Sequence, residues 1–117
     1  MDFYERVFGF EALIRDDRLC ALAVPGHQVF LLFKKGASKR DGHTSGGVIP
    51  GHDGDGHLHM AFAIEKKELK GWRGWLDEQG IEIESTVEWP RGGTSIYFRD
   101  PDRHVIELAT PGTWQVY

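Results

Sequence analysis

Apolar residues fall at Phe3, Tyr4, Val7 and Phe8, the spacing of one helix face, and Gly9 follows where a left-handed residue would end a helix. A short helix is therefore expected to open the chain. FEALIRDD, LCALAV and QVFLLFKK then read as strands separated by charged or Pro-Gly punctuation, a three-strand meander. Residues 36–56, GASKRDGHTSGGVIPGHDGDG, are crowded with glycine and polar side chains and predict a long mobile loop placed to gate a cavity. Beyond it HLHMAFAI alternates as a strand, and Leu69, Trp72, Trp75 and Leu76 recur at helical spacing before Gly80. IEIESTVEW, TSIYFRD and HVIELAT complete a second meander.

The halves resemble one another. Gly9 with Phe10 matches Gly80 with Ile81, and GHQVFLLF matches RHVIELAT, an internal repeat of a helix followed by three strands. An offset of about 71 residues sends the strand at 57–64 to positions before residue 1, so the first half is expected to lack an opening strand and part of its helix. The division expected is a truncated first module at 1–35, the glycine-rich loop at 36–56 and a second module at 57–117, all within one domain.

Composition narrows the partners. The chain has 117 residues, 40% of them hydrophobic, which fits one small core. A formal net charge of -4 provides no positive field for a phosphate backbone, so nucleic acid is excluded and a small molecule is expected. The single Cys20 lies in an apolar run and reads as a buried structural thiol. No stretch approaches the roughly 20 apolar residues that span a bilayer, and MDFYERVFGF lacks the basic flank of a signal peptide; a cytoplasmic protein without membrane contact is the expectation.

FYERVFGFE, HMAFAI and YFRDPDRHVIELATP together resemble the vicinal oxygen chelate superfamily, the glyoxalase, bleomycin-resistance, fosfomycin-resistance and extradiol-dioxygenase group. The resemblance implies an α+β fold of paired βαβββ modules, the first lacking its opening strand, and a divalent metal ion held on open strands. Zn, Mn, Fe(II) and Ni all suit such a site. It places His59 and Glu107 at metal positions, with His57, on the same strand face as His59, as the alternate. A neutral imidazole nitrogen and an anionic oxygen are the donors such an ion takes while leaving room for substrate. Small Ala61 and Ala63 share the face of His59 and leave that room. Read without the family, His59 is an ordinary core or surface histidine and Glu107 lies on a solvated sheet face.

Similar positions in fosfomycin-resistance relatives put Tyr97 and Ser95 against the substrate, as catalytic candidates; otherwise Tyr97 is a packed core tyrosine. His27, His43 and His52 read as exposed turn or loop residues, His104 as structural, and Arg91 as a solvated loop arginine able to meet an anion. The turn DPDRH carries Arg103 where the family has glycine, so it either differs or holds a left-handed residue at a cost of about 1–2 kcal/mol. Aligning GHQVF on RHVIE sets Phe30 against Glu107 and removes a second glutamate from the first half. The resemblance thus implies a metal-dependent lyase, dioxygenase or fosfomycin-modifying type of transferase. The alternative is a metal-free drug-binding protein of the bleomycin-resistance type, using aromatic Phe30, Trp72, Trp75 and Trp89. A homodimer, with modules possible to exchange, is expected to cover the open sheet edge.

Overall fold

A computed structural model describes residues 2–52 and 54–117. The opening amphipathic stretch forms α1 (Asp2–Phe8), which buries Phe3, Tyr4 and Val7 and ends at Gly9, whose φ of 71° is left-handed. Three antiparallel strands follow in the order β1-β2-β3: β1 (Glu11–Arg15), β2 (Leu19–Val24) and β3 (Gln28–Phe33). Asp16 closes the first turn by accepting hydrogen bonds from the Arg18 and Leu19 amides, at 2.8 and 2.9 Å. Those amides, Leu19 first, hold its carboxyl below the usual carboxylate range. Cys20 is fully buried, as its apolar run requires.

The stretch at 36–56 is not one continuous loop. Gly42–Thr44 (β4) and Gly47–Ile49 (β5) form an antiparallel hairpin. Its turn is built from the small residues that disguised it. The Thr44 hydroxyl donates to the Gly47 carbonyl at 2.8 Å and accepts from the Gly46 amide at 3.2 Å. His43, expected in a loop, therefore lies on a strand, although it is exposed as anticipated.

The chain divides into two compact units, Met1–Asp55 and Gly56–Tyr117. In the second, β6 (His59–Ala63) leads through a 3-10 turn at Lys66–Glu68 into α2 (Leu69–Glu78), then β7 (Ser85–Glu88), β8 (Thr94–Arg99) and β9 (Val105–Ala109). The sheet order is β6-β9-β8-β7, with β6 parallel to β9 and the other neighbours antiparallel. Gly80 ends this helix with φ 71°, the same value as Gly9. Leu76, Ile96, Phe98, Ile106 and Leu108 are all fully buried. Each such side chain contributes about 1.5–3 kcal/mol relative to exposure.

The face of the second sheet that α2 covers is identified by Arg73, whose guanidinium donates to Thr86 Oγ1 at 3.2 Å. Thr86 is paired with Ile96, and Ile96 with Leu108. Glu107, adjacent to Leu108, therefore points away from the helix. Phe30 does the opposite: its ring meets Tyr4 of α1 edge-on at 5.2 Å. The match of Phe30 with Glu107 is thus one residue out of register, and a one-residue slip turns a side chain to the other face. Val29 and Leu31 occupy the face opposite Phe30 in β3, and both are apolar, so this strand still offers no second carboxylate.

The DPDR turn resolves in favour of strain. Arg103 has φ 70°, and its amide donates to the Asp100 carbonyl at 3.0 Å. Asp100 also accepts from the His104 amide and pairs with His104 Nδ1, both at 2.8 Å, which gives His104 the structural role expected of it.

Candidate functional site

The helix-free face of the second sheet brings four predicted residues together. Ala61 lies beside Glu107, and Glu107 beside Tyr97, across the β6, β9 and β8 ladders. His59 is two residues before Ala61 and Ser95 two before Tyr97, so both share that face. His59 Nε2 lies 3.0 Å from Glu107 Oε1. The histidine side chain is 48% exposed and the glutamate only 11%, so a deeply set carboxylate faces a nitrogen that solvent or a ligand can reach.

Glu107 is held from behind. Its other oxygen accepts a 2.6 Å hydrogen bond from the Ser95 hydroxyl, and Ser95 is fully buried. Ser95 Oγ accepts in turn from Trp89 Nε1 at 2.8 Å. A donor chain therefore runs from Trp89 through Ser95 to Glu107, and it fixes the direction of the serine proton. The turn that positions Trp89 depends on close backbone approach. The Trp89 amide donates to the Gly93 carbonyl at 2.8 Å and the Gly93 amide to the Gly112 carbonyl at 3.2 Å. A Cβ on either glycine would collide with backbone of the other segment. Sequence reasoning noted Trp89 only as a possible stacking ring; its hydrogen bond to Ser95 depends on turn geometry that no local motif announces.

Tyr97 packs its ring edge against His59, with centroids 5.9 Å apart. Burial, and then the negative charge of Glu107, raise its phenol above the ordinary tyrosine value. At neutral pH it is a hydrogen-bond donor and not a base.

His59 and Glu107 suit a divalent ion in chemistry and in spacing. One is a nitrogen donor, the other an anionic oxygen, and 3.0 Å is a separation that two donors can have when each binds one ion at about 2.0–2.2 Å. They form a pair and not a triad: no group of three His, Cys, Asp or Glu side chains is poised to hold a metal among the described residues. His57 is consequently not gathered with them. It is exposed and lies in a bend before β6, which begins at His59, so the face it was expected to share does not extend that far. Arg91 is exposed in the β7–β8 turn.

Comparison with known proteins shows the family. The profile described as Glyoxalase/Bleomycin resistance protein/Dioxygenase superfamily matches residues 1–108. The metallothiol transferase FosB of Staphylococcus saprophyticus is 30% identical over 116 residues, covering 98% of this chain and 69% of the relative. Catechol-2,3-dioxygenase of Bacillus subtilis is 30% identical over 122 residues, covering 98% of this chain but 39% of the relative. The crystal structure of lactoylglutathione lyase from Agrobacterium tumefaciens superposes with a TM-score of 0.84 at 30% identity, covering 97% of this chain and 84% of that one. No helix among the described residues is long and apolar enough to cross a membrane. With an α+β fold in which the described residues form two α-helices, one mixed sheet and two antiparallel ones, and with its sequence matched over most of its length, the chain belongs to the glyoxalase/bleomycin resistance protein/dioxygenase superfamily.

Proposed function

We propose that this chain is a divalent-metal-dependent enzyme that acts on a small oxygen-bearing substrate, with His59 and Glu107 as its own metal donors. The observation that carries this reading is the 3.0 Å pairing of a half-exposed imidazole with a buried, serine-anchored carboxylate on the open face of a sheet. When bound, the ion supplies Lewis acidity toward adjacent substrate oxygens. Ser95 holds Glu107 in one orientation, so that Oε1 remains directed toward His59. Tyr97 keeps its proton, which burial and the hydrogen-bonded Glu107 carboxylate hold in place, and its ring stands beside His59 where substrate would approach. Ala61 and Ala63 leave space above the strand. Group transfer, isomerisation and ring-opening oxygenation each have a relative at 30% identity, and each uses a metal ion of this kind on adjacent substrate oxygens.

The wider reading is of paired βαβββ modules making one cytoplasmic domain, with no strand paired to the outer edge of β3 among the described residues. In support, β9 is flanked by β6 and β8, whereas its counterpart β3 is a sheet edge. An open edge favours pairing with another strand, and a homodimer is the assembly we propose.

Titration of manganese(II), iron(II) and zinc into metal-stripped protein tests the site. One ion should bind weakly, because two donors are brought together among the described residues. His59→Ala and Glu107→Gln should each abolish binding, and His57→Ala should change it little. Stoichiometric binding that survives His59→Ala would refute the ligand assignment; no binding of any ion would leave the metal-free drug-binding reading in its place.

A further inference from the structure

The unit Met1–Asp55 contains a cavity of about 330 Å³ that shares no residue with the site described above. Lys34, Lys35 and Lys39 line it together with Ser38 and His52. The lysines converge because the chain doubles back on itself. The Ala37 amide donates to the Lys34 carbonyl at 3.0 Å, which tightens the turn at Gly36, where φ is 82°. The His52 amide donates to the Ser38 carbonyl at 2.7 Å, which ties the far side of the cavity to this turn.

Two observations point to a ligand. The first is charge. Among the described residues three lysines line the cavity against one acidic residue, Asp55, whose Oδ2 lies 3.1 Å from Lys35 Nζ. Counted over the described residues, two positive charges are left in surplus in a chain whose formal net charge is -4, so the local excess runs against the whole. The second is Ser38, which is only 7% exposed and whose buried hydroxyl oxygen finds no hydrogen-bond partner among the described residues. A buried polar group without a partner is costly, and a hydroxyl lining a cationic cavity suits an anionic acceptor. Phe33 and His52 add an aromatic wall, ring edge to ring face with centroids 4.4 Å apart.

We propose that this cavity binds a small organic phosphate monoester, with the phosphoryl dianion on the lysines and the Ser38 hydroxyl and its carbon skeleton against Phe33 and His52. A dianion matches the surplus of two charges, and charge-assisted hydrogen bonds to phosphoryl oxygens are the strong kind. The cavity is large enough for the phosphoryl group and a substituent the size of a ring.

Phenyl phosphate titrated calorimetrically into the full chain is the test, with a chelator present so that the result is independent of any ion at His59 and Glu107. Saturable binding that weakens with added salt is expected. Inorganic phosphate should bind less tightly, since it lacks the ring, and phenol should not bind at all. Lys39→Gln should weaken phenyl phosphate about tenfold and Ser38→Ala severalfold. Circular dichroism of Lys39→Gln, an exposed position, confirms that the fold is kept. The proposal is overturned if phenyl phosphate does not bind, if both variants bind it as the parent does, or if phenol binds equally well. Failure here leaves the metal reading intact, and failure of the metal titration leaves this one intact.

Discussion

Replacing Ser95 by alanine isolates the support of the candidate metal pair. Ser95 is fully buried and joins two groups at once: its hydroxyl donates to Glu107 Oε2 at 2.6 Å and accepts from Trp89 Nε1 at 2.8 Å. A hydrogen bond to a charged acceptor contributes about 1.5–3 kcal/mol, and a neutral one about 0.5–1.5 kcal/mol. Alanine removes both and leaves a deeply set carboxylate oxygen and an indole N–H unsatisfied. We therefore expect Ser95→Ala to lower unfolding free energy by about 2–4 kcal/mol, large among single substitutions. Urea denaturation of metal-stripped protein is the assay, with the slope unchanged so that only stability is compared. The double variant Ser95→Ala with Glu107→Gln should cost less than the two singles added, because the two residues share one interaction. If Ser95→Ala lies within about 0.5 kcal/mol of the parent, the range of ordinary surface changes, the chain from Trp89 to Glu107 contributes nothing and the reasoning fails.

Two further outcomes follow from single residues. Arg103 holds a left-handed φ of 70°, so Arg103→Gly should stabilise the protein by about 1 kcal/mol in the same urea assay, and a loss of stability would refute the strain. Tyr97 has its phenol raised by burial first and by Glu107 second, so tyrosinate absorbance should show it ionising above the ordinary value and Glu107→Gln should remove part of that rise. Because the folded pKa is the higher one, its contribution to stability is complete below the unfolded tyrosine value of about 10 and is lost as pH climbs through the folded value. Tyr97→Phe should therefore soften alkaline unfolding; an unchanged alkaline limb would contradict the shift.

Much of the fold was legible because periodicity survives in one dimension. Phe3, Tyr4 and Val7 repeat at helical spacing and are buried on α1 as that spacing requires, and the glycines that stop the helices both hold φ 71°. The β4–β5 hairpin was hidden because strands of three residues, GHT and GVI, are too short to display alternation and lie among turn residues. IEIESTVEW misled in the other direction: its alternation begins at Ile81, but the strand begins only at Ser85, with the Glu84 amide making the first bond to β8. A period of two states that a side could be buried, not that a neighbouring strand is present to pair with it.

The site was legible for a different reason, and the Phe30 error shows where that reason ends. His59, Glu107, Ser95 and Tyr97 all came from the second half, where similarity to a family supplied positions one by one. Phe30 came from sliding one half of the chain along the other, and letters alone cannot fix such an alignment to better than a residue. In a strand one residue is the whole difference between the helix-facing and the open side. The ring contact of Phe30 with Tyr4 decides its side, and Arg73 reaching Thr86 decides that of Glu107. Both contacts are between a helix and a sheet, and a repeat read from sequence contains no information on which face the helix takes. Trp89 escaped for the same cause. Its partner Ser95 is six residues away across a turn, and only the close approach of Gly93 to Gly112 brings the indole N–H onto the serine oxygen. Linear spacing can thus name the groups that touch an ion, whereas the groups that hold them in place are set by turns and by sidedness, and these require coordinates.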